Sequence, residues 1–195
     1  MLRVVILISG QGTNAAEFIK GCQSGKIPAQ VVAVGSDLDA PGLGFAKSAG
    51  IATFVEPFSD SAERHAWGER LADRVAGFNP DLVILSGFMR LVPPVFVQRF
   101  APRLLNTHPS LLPNFPGAHA VRDALAAGVT ETGASVILVD DGVDTGPILA
   151  QRKISIEAAD TEETLHSRIK VVERELLAEV VSDLNNRENR YEGKA

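Results

Sequence analysis

Asn106 and His108 are the side chains whose types and spacing best suit chemistry in this sequence. They leave the apolar run Leu104-Leu105 two residues apart, and Pro109, Pro113 and Pro116 follow within eight positions. Side chains alternate faces along a strand, so Asn106 and His108 share one side while Thr107 points away. The prolines exclude helix and ladder pairing, so the chain beyond His108 is a stiff irregular loop over a strand end. The Asn106 amide can donate to a developing oxyanion, an interaction whose loss typically costs about 10²- to 10³-fold in rate. His108 can give or take a proton near neutrality. The same pair can also serve only to satisfy the loop's backbone groups, and spacing alone leaves both readings open.

The rest of the chain supplies the elements that position this strand end. Leu2–Ile8 is a β-branched run that ends in Ser9-Gly10-Gln11-Gly12-Thr13-Asn14 and passes into helical composition over 15–22. A strand, glycine turn and helix in that order present free N–H groups and the positive end of a helix dipole, a seat for an anion such as phosphate. The turn lacks both the third glycine of a dinucleotide fingerprint and the lysine of a P-loop. Packing of helix on strand remains the alternative reading of this turn. Strands over 31–35, 53–55 and 82–85 alternate with helices over 42–49, 61–76 and 95–100. The pattern predicts an α/β, Rossmann-like, doubly wound and mostly parallel sheet. Asp60 or Ser61 would cap the helix over 61–76. Ser86-Gly87-Phe88-Met89-Arg90-Leu91-Val92 lies at a strand's carboxyl end, where parallel sheets bind ligands.

Beyond a helix over 118–127, a strand over 132–139 leads into Asp140-Asp141-Gly142-Val143-Asp144-Thr145-Gly146-Pro147, and 148–156 returns as an antiparallel partner. Three aspartates in such a turn suit Mg²⁺ or Ca²⁺ by type, but the calcium-loop spacing is absent and no metal is expected. Residues 161–184 form a long amphipathic C-terminal helix capped by Asp160 or Thr161. Lys170 and Glu173 lie on one side of it, where such a pair is ordinarily a solvated ion pair.

With 195 residues, one core and one domain over 1–184 are expected, and the polar stretch 185–195 is expected to be a disordered tail. A formal charge of -5 offers no footprint for nucleic acid. The single cysteine, Cys22, excludes an internal disulfide and reads as a packed helix residue of a cytoplasmic protein. The apolar run Leu2–Ile8 is interrupted by Arg3 and is too short for a membrane span or a signal segment.

The run Asn106-Thr107-His108-Pro109-Ser110-Leu111-Leu112-Pro113, with Gly117 beyond it, resembles the signature of the folate-dependent formyltransferases. Gly87-Phe88-Met89-Arg90 upstream and Asp140 to Ile148 downstream extend the resemblance over nearly the whole chain. It implies direct transfer of a formyl group from 10-formyltetrahydrofolate, as co-substrate, to the amine of glycinamide ribonucleotide. It implies Asn106, His108 and Asp144 as the catalytic set, with Gly12, Thr13, Asn14, Lys170 and Glu173 on the ribonucleotide. Arg64, Asp140, Asn106 and the backbone of Met89, Arg90, Leu91 and Val92 are implied on the folate, under a lid formed by the Asp140–Asp144 loop. Small molecules are the expected partners of a monomer or homodimer. The tRNA-directed and deformylase branches carry added domains for which 195 residues leave no room. A sugar-nucleotide acceptor, or a non-catalytic nucleotide-binding module, are the other readings.

Overall fold

The computed structural model describes residues 1–59 and 61–192. β1 (Leu2–Ile8), β2 (Ala29–Ser36), β3 (Ala52–Val55), β4 (Leu82–Leu85) and β5 (Leu104–His108) form the parallel part of one sheet. β6 (Glu131–Leu138) and β7 (Ile148–Ser155) complete it as an antiparallel hairpin beside β5, in the order β3-β2-β1-β4-β5-β6-β7. The order reverses between β1 and β4, and the crevice at such a switch point is where open α/β sheets hold ligands. Leu7 pairs with Leu85 and Leu85 with Asn106, so β1, β4 and β5 end level with one another.

The helices are α1 (Thr13–Gln23), α2 (Leu43–Ser48), α3 (Arg64–Ala76), α4 (Pro94–Phe100), α5 (Ala120–Ala126) and α6 (Glu162–Glu192). Alternation along β1 divides the core into two layers. Val4, Ile6 and Ile8 pack with Phe18 and Ile19 of α1 and Leu165, Ile169 and Leu176 of α6. Val5 and Leu7 pack with Trp67 and Leu71 of α3 and Phe96 and Phe100 of α4. Each large side chain so buried contributes on the order of 1.5–3 kcal/mol before entropy is counted.

Asp60, one expected cap, lies outside the described residues, and Ser61 instead opens a 3-10 turn over Ser61–Glu63. At α6, the Thr164 N–H donates to Thr161 Oγ1 at 3.2 Å and the Thr161 N–H donates to Thr164 Oγ1 at 2.9 Å. This reciprocal capping uses threonine where glutamate is usual. The helix does not end at Leu184 as expected: it continues to Glu192, and Asn185 is buried. Residues 185–192 hold no Gly or Pro to stop it. The rest of the expected tail, 193–195, lies outside the described residues. Arg152 of β7 ties this helix to the sheet, donating to Glu175 at 2.6 Å and Glu179 at 2.8 Å. No helix among the described residues is long and apolar enough to cross a membrane.

Candidate active site

A cavity of about 580 Å³ opens where β1, β4 and β5 end, within the size range of ordinary small-molecule sites. Asn106, His108 and Asp144 meet on its wall. Asn106 Nδ2 donates to Asp144 Oδ1 at 3.2 Å, and His108 Nδ1 lies 3.3 Å from Asp144 Oδ2. The two β5 side chains thus face one side, as strand alternation requires, and one carboxylate spans both. The Gly117 N–H donates to Asp144 Oδ2 at 2.8 Å, joining the loop after β6 to the proline loop after β5.

His108 is buried, and its Nε2 lies 2.8 Å from the Phe115 carbonyl oxygen. A carbonyl only accepts, so Nε2 is the donor and carries a proton, and Nδ1 is the other ring nitrogen. Asp144 Oδ2 is the carboxylate oxygen facing that nitrogen. Phe115 and Asp144 both adopt positive φ, 52° and 53°. Such backbone costs about 1–3 kcal/mol per residue, and here it aims one carbonyl and one carboxylate at the same imidazole.

The proline loop is held from behind by Ser135, which faces His108 across the β5–β6 ladder. Ser135 Oγ donates to the Ser110 carbonyl at 2.7 Å and accepts from the Leu112 N–H at 3.2 Å and Gln151 Nε2 at 2.9 Å.

Gly12 caps α1 with φ 63°. A Cβ there would stand 3.0 Å from the Gly42 Cα, so the glycine serves close packing as well as an open turn. Gly12, Thr13 and Asn14 also line the cavity. The first N–H groups of α1 have no acceptor within the helix, which leaves them for an anion.

Lys170 and Glu173 line the same end of the cavity. They are not the solvated ion pair that spacing suggests: Glu173 is buried and accepts from Asn14 Nδ2 at 3.2 Å. Burial pushes its carboxyl up to about 6, against the opposing pull of Asn14, Thr107, Lys170 and Arg174. Thr107, on the opposite face of β5 from Asn106, also lines the cavity, which wraps around the strand end. His166 lines the cavity too, its proton affinity lowered first by burial and then by Lys170.

At the other end, Met89, Arg90, Leu91 and Val92 line the wall. Part of the main chain expected to meet the folate already has a partner. The Met89 N–H donates to Ser9 Oγ at 2.9 Å, and the Leu91 carbonyl accepts from Arg64 Nη1 at 2.6 Å. Arg64 itself stands behind this wall, its guanidinium 5.3 Å from the centre of the Phe58 ring. Asp140 lines the cavity but spends its carboxylate on its own loop, accepting from the Thr145 hydroxyl at 2.8 Å and the Gly142 N–H at 3.0 Å. No cluster of His, Cys, Asp or Glu able to hold a metal ion occurs among the described residues.

A Rossmann-like sheet whose switch-point cavity joins an Asn–His–Asp cluster to a helix N-terminus matches the formyl transferase family over residues 2–181, and the chain belongs to that family. The chain is 48% identical to the phosphoribosylglycinamide formyltransferase of Mycobacterium tuberculosis, over 93% of this chain and 84% of that protein. Identity to the Escherichia coli enzyme of the same name is 42%, over 93% and 86% of the two chains. In structure it is similar to glycinamide ribonucleotide transformylase 1 of Symbiobacterium toebii, with a TM-score of 0.87 at 42% identity over 93% and 86% of the two chains.

Proposed function

We propose that this formyltransferase moves the formyl group of 10-formyltetrahydrofolate directly to the amine of glycinamide ribonucleotide, within one domain. The observation that carries the reading is the single Asp144 carboxylate bonded to Asn106 and facing His108, on a cavity that runs from the N-terminus of α1 to the loop after β4. We take the enzyme to act in the cytoplasm, as a monomer or homodimer, on small molecules and not on nucleic acid.

Formyl transfer needs a donor for the oxyanion that develops on the formyl oxygen and a carrier for the proton that the attacking amine gives up. Asn106 Nδ2 is the neutral donor, and its bond to Asp144 Oδ1 fixes the amide so that its second N–H is free for the oxyanion. His108 carries the proton at Nδ1, with Asp144 Oδ2 balancing the imidazolium charge while Nε2–H stays on the Phe115 carbonyl. In this arrangement Asp144 works through the imidazole. The proton lost by the amine returns to the folate nitrogen as that nitrogen leaves. The acceptor's phosphate fits the free N–H groups of α1 beside Lys170, and its ribose hydroxyls fit the Glu173 carboxylate.

Mass spectrometry of the acceptor after incubation with protein and 10-formyltetrahydrofolate tests the reading. Formylation of the glycine amine is expected, and an unmodified acceptor with consumed donor would contradict it.

A further inference from the structure

Asp37 follows β2 and is nearly fully buried, standing behind the cavity wall and not in it. Its Oδ1 accepts from the Ser9 hydroxyl at 2.6 Å and its Oδ2 from Arg90 Nε at 2.6 Å. The Ser9 hydroxyl, its proton committed to Asp37, presents a lone pair to the Met89 N–H at 2.9 Å. Ser9 and Gly87 are joined a second time, the Ser9 N–H donating to the Gly87 carbonyl at 3.2 Å. The main chain of Asp37 also takes part, accepting from the Phe58 N–H at 3.3 Å, and the Phe58 ring lies 5.1 Å from the Arg90 guanidinium.

We propose that Asp37 is a positioning residue for the formyl-donor half of the cavity. It fixes the Ser9 hydroxyl and the Arg90 side chain and thereby sets the main chain of residues 89–92. The inference rests on reading that half as the folate site. A buried carboxylate is retained only where donors satisfy it, and both donors here belong to loops that form the cavity wall. The geometry needs two acceptor oxygens. An asparagine has one: serving Ser9, it sets its N–H₂ against the Arg90 guanidinium, donor against donor; serving Arg90, it becomes a donor to the Ser9 oxygen, and the hydroxyl proton must turn elsewhere. A Ser9 hydroxyl that turns its proton away from position 37 no longer has its lone pairs fixed toward the Met89 N–H, and the loop after β4 is held less firmly on the turn after β1. The acceptor half, built from α1, α6 and Thr107, does not share this network.

The test is steady-state kinetics of formyl transfer with the donor and acceptor concentrations varied separately, on wild type, Asp37→Asn, Ser9→Ala and the double variant. Asp37→Asn is expected to raise the donor KM about tenfold, the loss of one charge-assisted hydrogen bond, while the acceptor KM stays within about twofold. Ser9→Ala leaves the carboxylate to Arg90 and is the milder variant should Asp37→Asn fold poorly; it should raise the donor KM alone. The double variant should be little worse than the more impaired single, since both act along one chain of bonds. An unchanged donor KM, a parallel rise in both KM values, or additive effects would overturn the role. Failure of the wild type to transfer formyl would instead overturn the functional reading on which it rests.

Discussion

Asp144 Oδ2 lies 3.3 Å from His108 Nδ1 while His108 Nε2 lies 2.8 Å from the Phe115 carbonyl, so the imidazole is held at both nitrogens. Its second anchor makes Nε2 the donor to a carbonyl, and its first places a carboxylate before Nδ1. The geometry makes His108 and Asp144 a unit.

Removing either half of that unit should disable it. His108→Ala and Asp144→Asn are each expected to lower kcat by about 10²- to 10⁴-fold, with the double variant close to the worse single. Asparagine tolerates the positive φ of position 144, so the fold should survive, as circular dichroism would verify. Multiplicative losses would show that the two residues act independently.

Asn106→Ala should lower kcat by about 10²- to 10³-fold with little change in either KM, since the role proposed for its amide is toward charge that develops only in the transition state. Separate KM determinations for donor and acceptor check this. A loss confined to KM would make Asn106 a binding residue.

Glu173 has a pH signature. Its folded carboxyl, pushed up to about 6 from an ordinary 4.5, holds a proton that the unfolded chain has already released. Stability therefore falls as pH rises from about 4.5 to about 6, and above that window the buried charge costs on the order of 2 kcal/mol. Glu173→Gln should raise the Tm at pH 8 and leave it nearly unchanged at pH 4, while raising the acceptor KM. Calorimetry at the two pH values reads the first effect, and an equal Tm change at both would contradict it.

Ser135→Ala should cost on the order of 1–3 kcal/mol in urea denaturation, since it strands the buried Leu112 N–H and takes the donor from the Ser110 carbonyl, while Gln151 keeps only its bond to the Leu112 carbonyl. Looser seating of the proline loop should lower kcat as well. A variant as stable as wild type would show that water or a shifted Gln151 replaces the hydroxyl.

Much of this was legible in the sequence because the informative signals are local. Periodicity placed β4 at Leu82–Leu85 without error, alternation put Asn106 and His108 on one side, and the aspartate-rich turn became a hairpin. Asp144 was reachable only through resemblance, since its partners lie 38 and 36 residues away and no spacing rule joins them. Asp37 gave no signal: one acidic residue in a turn looks solvated until Ser9 and Arg90, 28 and 53 residues away, close over it. The burial of Glu173 was hidden for the same reason. Its neighbour Lys170 suggested a surface ion pair, whereas its bonded partner is Asn14, 159 residues distant. Helix α6 overruns its expected end because polarity alone does not mean disorder: polar residues without a breaker continue a helix already anchored on a core.

The most direct test of formyl transfer to glycinamide ribonucleotide is a spectrophotometric assay of purified protein with 10-formyltetrahydrofolate. Glycinamide ribonucleotide, water alone and an amino-sugar nucleotide would be compared as acceptors. Loss of formylfolate that depends on glycinamide ribonucleotide is the predicted result. Equal loss with water alone, or faster loss with the amino-sugar nucleotide, would contradict it.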